Sequence, residues 1–378
     1  NLTGIETVEF ADGALTVSRD DDGEVQVNSY TSGNQYEPSV TTLKDGGFVV
    51  TWRDDSGHDG GSSWDVYGQL YNPQGELVGD QFRVNTYTSS EQYEPSVAAL
   101  DDGGFVATWT DRSGHSGGSS YDVRGQRYDA SGETVGDEFR VNSYTSSYQQ
   151  QSSVTGLDDG GFMVTWESRH QDGSDYGVYG QRYDASGDVD GNEFLVNTYT
   201  SSNQKTPSVE SLADGGFVVT WRDNSGHDGG SGWDIRAQRY DTTGGTVGDE
   251  FRVNTYTSNS QYEPSVTGLK DGGFVVTWRD DSGHDGGSSQ DVWAQVYDAS
   301  GVASGDEFRV NTYTSSSQYE PSVAGLADGG FVVTWRDDSG HDDGSGSDIR
   351  GQRYDSSGNA VGDEFLVNSY TDSTQYQP

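Results

Sequence analysis

Asp45-Gly-Gly-Phe-Val-Val-Thr-Trp52 reads as a tight turn running into a strand, and it does not stand alone. The string Asp-Gly-Gly-Phe recurs from Asp102, Asp159, Asp214, Asp271 and Asp328, at spacings of 57, 57, 55, 57 and 57 residues. Each copy runs on to a Thr-Trp pair, ending at Trp52, Trp109, Trp166, Trp221, Trp278 or Trp335. The paired glycines supply the positive φ that a tight turn between strands requires. In the strand that follows, Phe48, Val50 and Trp52 share one face and Val49 and Thr51 the other. Apolar residues on both faces call for a sheet covered on both sides.

Working outward, a second block, Val-Asn-(Ser/Thr)-Tyr-Thr, occurs seven times, with its Asn at 28, 85, 142, 197, 254, 311 and 368. Between these landmarks one unit carries four strands, expected at 38–43, 48–52, 66–71 and 82–87. Pro38 sits where a missing ladder donor is tolerated, and no segment keeps a 3.6-residue apolar period. Four short strands per unit, repeated six times, predict an all-β fold, a β-propeller of about six four-stranded blades. The expected repeats are approximately 32–88, 89–145, 146–200, 201–257, 258–314 and 315–371. Residues 1–31 echo part of a unit, so they are expected to form a closing strap or a truncated seventh blade. The repeated Trp reads as core between blades. Asn85 and Gln69, with their counterparts, read as framework amides bonded to backbone.

The chain carries 62 acidic against 21 basic residues, a formal charge of −41. Nucleic acid is thereby excluded as a partner, because phosphate binding needs clustered Lys and Arg. No apolar run reaches the roughly 18 residues of a membrane span, so no membrane insertion is expected. There is no cysteine, which removes disulfides and thiolate chemistry. Beginning at Asn1 and stopping at Pro378, the chain is expected to be part of a longer polypeptide.

The most distinctive chemistry lies in the long loop after the second strand. It reads Arg53-Asp-Asp-Ser-Gly-His-Asp-Gly-Gly-Ser-Ser-Trp-Asp65 in the first unit and nearly the same from Arg222, Arg279 and Arg336. A hard cation takes six to eight oxygens on a flexible loop, so calcium is the expected ion. The candidate ligands are Asp55, Asp59 and Asp65; Asp228 and Asp234; Asp281, Asp285 and Asp291; and Asp338, Asp342 and Asp348. The alternative is a solvated turn in which Asp side chains cap backbone donors. His58, His227, His284 and His341 in the same loops, with Trp64 and Trp233, are candidate ligand-binding residues. Unit two puts Ser116 where the second Asp stands, and unit three is two residues shorter, with His170 out of register.

Two stretches carry a family resemblance. Gly4-Ile-Glu-Thr-Val-Glu-Phe-Ala-Asp-Gly13 resembles the segment that commonly follows the calcium-binding repeats of RTX (hemolysin-type) secreted bacterial proteins. The units themselves are similar to repeats of such proteins and of adhesins, as at residues 178–187 and 193–198. The resemblance implies a calcium-rich setting, secretion to the cell surface or medium, and a role in attachment. The RTX nonapeptide core occurs only once, at Gly229-Gly-Ser-Gly-Trp-Asp234, and its continuation departs from the pattern.

Because nearly every carboxylate and histidine recurs from unit to unit, an asymmetric catalytic constellation is not expected. The leading expectation is a non-catalytic propeller that binds glycan or protein through several equivalent loops. A structural spacer and a polysaccharide-degrading enzyme are the alternatives.

Overall fold

The structure, a computed structural model, describes the chain apart from residues 1–7, 11–12, 16–24, 61–63, 118–120, 231, 287–289, 341–345, 370–374 and 376. Six four-stranded antiparallel sheets follow one another along it. The first blade is built from Gln35–Thr42, Phe48–Asp54, Asp65–Tyr71 and Leu77–Arg83. The next two open with Gln92–Ala99 and Gln149–Gly156, and the last three with Gln204–Ser211, Gln261–Gly268 and Gln318–Gly325. These are the blades of a β-propeller. Val8–Phe10 and Gly13–Leu15 pair as a small separate hairpin; most of the rest of the partial repeat at 1–31 lies outside the described residues. The chain divides into two compact units, with blades one to three in the first and blades four to six in the second. Among the described residues no helix is long and apolar enough to cross a membrane.

The fourth strand departs from expectation. It runs over Leu77–Arg83 rather than 82–87, and Asn85 explains where it stops. The Asn85 side-chain oxygen accepts from the Val66 amide at 2.7 Å, while its Nδ2 donates to Asp65 at 2.7 Å and to the Tyr87 carbonyl at 3.0 Å. A side chain thus takes over the ladder and turns the chain out of the sheet. Asn142, Asn254 and Asn311 accept the matching amide in their own blades.

The first strand begins earlier than expected, at Gln35, and runs through Pro38 by means of a bulge between Tyr36 and Ser39. The bulge places Glu37 at φ 57°, in the left-handed region that side chains other than Gly seldom enter. The same position is left-handed in every blade: Glu94, Gln151, Thr206, Glu263 and Glu320 follow Glu37. Strain of this kind persists only where surrounding contacts hold it.

Within each unit, the second-strand Trp fills the space between adjacent blades. In the first unit Trp109 packs with Leu43, Val49 and Val66 of the preceding blade, and Trp166 with Ala98, Val106 and Val123. In the second, Trp278 meets Leu212, Val218 and Ile235, and Trp335 meets Val275 and Val292. One third-strand position alternates along the chain. Tyr67, Tyr179 and Trp293 occupy it in odd blades; Arg124, Arg236 and Arg350 occupy it in even ones. Each buried arginine pairs with an aspartate of its own second strand, Asp111, Asp223 or Asp337, at 3.0, 3.0 and 2.9 Å.

Candidate functional site

The long loops are stapled from within. In blades one, two, four and five the imidazole stacks on a tyrosine of the Val-Asn-(Ser/Thr)-Tyr block that precedes its blade. Ring centroids are 3.6 Å apart for Tyr30–His58, 3.3 Å for Tyr199–His227 and 4.0 Å for Tyr256–His284. His58 and His284 use the other ring face on Tyr67 and Trp293.

The loop carboxylates are likewise engaged by the chain itself. Asp65, Asp234, Asp291 and Asp348 are buried at the start of their third strands and accept from Asn85, Asn254, Asn311 and Asn368. Burial pushes the carboxyls of Asp65, Asp234 and Asp291 up, with the asparagine hydrogen bond opposing. Asp55 accepts from the side chain of Asn34 at 2.9 Å. Asp228 meets Arg236 at 3.0 Å, Asp281 meets Arg279 at 3.0 Å, and Asp338 accepts from the Tyr319 hydroxyl at 2.9 Å. The side chains of Asp59 and Asp285, and His341 and Asp342 altogether, lie outside the described residues. Among the described residues no three His, Asp or Glu side chains gather as a group that could hold a metal ion. Trp64 and Trp233 each lie against the guanidinium of their own blade, Arg53 and Arg222, at 4.0 and 4.7 Å.

A different set of residues converges in the first unit. The left-handed Glu37 holds the next blade, its Oε2 accepting from the Glu94 amide at 2.7 Å. Glu94 repeats the gesture, its Oε2 accepting from the Gln151 amide at 3.1 Å. The two glutamates differ in their surroundings. Glu37 is paired with Arg53 at 3.2 Å. The position of Arg53 carries Thr110 in blade two, and the Thr110 hydroxyl donates to Glu94 Oε2 at 3.0 Å. In blade three it carries Glu167, which is buried.

The half-buried Glu94 carboxyl is accordingly pushed up to about 7. Burial is the largest cause, the charges of Glu37 and Glu167 add to it, and the Thr110 and Gln151 hydrogen bonds oppose it. The second unit has a counterpart in Glu263 and Glu320, where the Glu320 backbone amide donates to Glu263 Oε2 at 2.8 Å. There Arg279 sits on Glu263 at 2.7 Å; burial and the charge of Glu263 push the Glu320 carboxyl up as well, opposed by the charges of Arg336 and Arg279 and a hydrogen bond from the Gln377 amide.

Aromatic rings flank the Glu94 region. The residue where each long loop joins the third strand is Trp64, Tyr121 and Tyr176 in blades one to three. Each ring has a guanidinium over it: Arg53 at 4.0 Å, Arg112 at 5.0 Å and Arg169 at 5.6 Å. Tyr93, next to Glu94, lies 6.3 Å from Tyr121, and Tyr148 lies 4.5 Å from Tyr121. Burial and the charge of Glu94 both push the Tyr93 phenol up. In the second unit the junction position is Trp233, then Gln290 and Ser347.

Reading by repeats passed over Glu94 because the pattern makes it one of a series. The available signal was a break in that pattern. Arg-Asp-Asp at 53–55 becomes Thr-Asp-Arg at 110–112 and Glu-Ser-Arg at 167–169. Moving the arginine two residues along the strand removes it from its glutamate. Tyr176 was missed because the shortened loop of unit three hides its register with Trp64.

No family model and no curated protein match the chain. Among solved structures it resembles a protein of unknown function from Dyadobacter fermentans (TM-score 0.56, 12% identity, 84% of this chain and 94% of that one). It also resembles an α-L-arabinofuranosidase from Fusarium graminearum bound to an iminosugar inhibitor (0.53, 12%, 93% and 98%). A third match is the NanB sialidase of Streptococcus pneumoniae (0.53, 9%, 84% and 66%). The expectations of a non-catalytic adhesin module and of no enzyme activity are corrected by these matches. The matches include an α-L-arabinofuranosidase and a sialidase, both of them enzymes. Identities this low carry the fold across and nothing finer: the chain is a six-bladed β-propeller.

Proposed function

We propose that this chain is a glycoside hydrolase acting on polysaccharide, with Glu94 as its general acid. The observation that supports this most is the Glu94 carboxyl, raised to about 7 beside Glu37. Glycoside hydrolysis needs two carboxyl groups in different protonation states, one to protonate the leaving oxygen and one to act as a charged partner. Glu94 Oε2 is engaged by Gln151 and Thr110, which leaves Oε1 to carry the proton. Glu37, held by Arg53, is the carboxylate of the pair. Glu94 gives its proton to the glycosidic oxygen as the bond to the anomeric carbon breaks. Water takes that carbon, and its proton passes to Glu37.

The matches to an arabinofuranosidase and a sialidase support the same class of chemistry on this fold. The test is reducing-sugar release from a panel of plant, algal and animal polysaccharides. Turnover is expected for the native chain and a loss of roughly 100-fold or more for Glu94→Gln. Turnover unchanged by Glu94→Gln, in a variant that still folds, would remove the proposal.

A further inference from the structure

We infer that the polymer taken by this site is uncharged, and that its sugar rings lie on Trp64, Tyr121, Tyr148 and Tyr176. The inference rests on the hydrolase reading for its cleavage step but on separate residues for recognition. Sugars present flat faces of C–H bonds that pack on aromatic rings, while their hydroxyls keep hydrogen-bonding partners at the rim. The four rings belong to one unit: Tyr121 lies near Tyr93, the neighbour of Glu94, Tyr148 lies against Tyr121, Tyr176 shares Arg169 with Tyr148, and Trp64 shares Arg53 with Glu37. Tyr121 and Tyr148 meet edge to face, and their backbones bridge blades two and three. The second unit, where Gln290 and Ser347 replace two of the junction rings, has no such run among the described residues.

The guanidiniums decide the charge of the substrate. An anionic sugar needs an uncommitted cation, and each arginine among the rings already has a carboxylate. Arg53 holds Glu37 at 3.2 Å, Arg112 holds Glu91, and Arg169 holds Asp175 at 2.9 Å. Recruiting one to a uronate or sulfate would break an ion pair and expose its carboxylate to the incoming anion. The chain as a whole, at −41, repels polyanions over longer range. Neutralised by its carboxylate, each arginine covers one face of its ring and adds no free charge to the platform.

The test is affinity electrophoresis of the full chain carrying Glu94→Gln, run with linear arabinan, mixed-linkage β-glucan, polygalacturonate, alginate and chitosan. Retardation by at least one of the two neutral polymers, unchanged between low and high salt, is expected. Tyr121→Ala and Tyr148→Ala should each weaken it roughly fivefold or more, and Tyr121→Trp should restore it, with melting curves confirming that each variant folds. Retardation only by polygalacturonate or alginate, fading as salt rises, would overturn the inference, as would retardation by chitosan alone or by no polymer. The two readings fail separately. Cleavage of polygalacturonate that depends on Glu94 keeps the hydrolase and removes the neutral substrate, whereas arabinan bound but never cut keeps the platform and removes the hydrolase.

Discussion

The backbone amide of Glu94 donates to the Glu37 carboxylate at 2.7 Å, so one blade's acid is the clasp that holds the next blade's acid in its left-handed conformation. The two side chains are thereby set in sequence across a blade junction, one beside Arg53 and the other beside Thr110. The same glutamate that is strained by φ 55° is the one whose carboxyl is raised.

That raised carboxyl costs stability wherever it is ionised. A folded value of about 7 against an ordinary 4.5 means that Glu94 contributes fully below the ordinary value, and that its contribution is lost as pH rises through 7. Glu94→Gln keeps the acceptor for Gln151 and Thr110 and removes the charge. It should therefore stabilise the protein by about 2 kcal/mol above neutral pH and by little near pH 4. Urea unfolding at the two pH values measures the difference.

Thr110→Arg restores in blade two the arrangement of blade one, where Arg53 pairs with Glu37. A guanidinium beside Glu94 favours its charged form. The alkaline limb of the pH–rate profile, expected near 7 in the native chain, should move to lower pH by roughly one unit or more. Turnover at neutral pH should fall about tenfold in step with it, while the melting temperature holds or rises.

Trp166 is fully buried between blades two and three, and its indole N–H donates to Gln149 at 3.1 Å. Trp166→Ala leaves a large cavity and strands the Gln149 carbonyl. A loss of about 3–5 kcal/mol is expected, read from the urea midpoint at unchanged pH.

Arg236 lies buried among Asp223 at 3.0 Å, Glu250 at 3.2 Å and Asp228 at 3.0 Å. Removing one member of a buried ionic group leaves the others uncompensated. Arg236→Leu should cost about 3–5 kcal/mol. Adding Glu250→Gln should return part of that loss, because burial already pushes the Glu250 carboxyl up. A double-mutant cycle by chemical denaturation gives the coupling.

The fold was legible because the signals that specify it are local and repeated. Asp45-Gly-Gly47 makes its turn and Phe48–Asp54 its strand from their own residues, six times over. The limits of the strands were less legible. Asn85 ends the fourth strand by reaching back to Val66 and Asp65, a contact across about twenty residues that no alternation of apolar residues reports. The site was hidden for the opposite reason. Repetition drew attention to the Asp and His residues that the units share, and those of them that the structure describes engage neighbouring groups of their own chain. Glu94 became chemically different through what its neighbours lost, Arg to Thr at 110 and Arg to Glu at 167. A change in a carboxyl's surroundings is visible only once strand pairing shows which residues surround it.

The alternation of Tyr67, Arg124, Tyr179, Arg236, Trp293 and Arg350 sets the unit of exchange in this molecule. Single blades are not interchangeable parts, because an odd blade brings an aromatic ring to a place where an even blade brings a cation with its buried aspartate. Two consecutive blades form the smallest portable cassette. A designer who lengthens, shortens or shuffles the array should cut every second repeat, where the ends that meet already match.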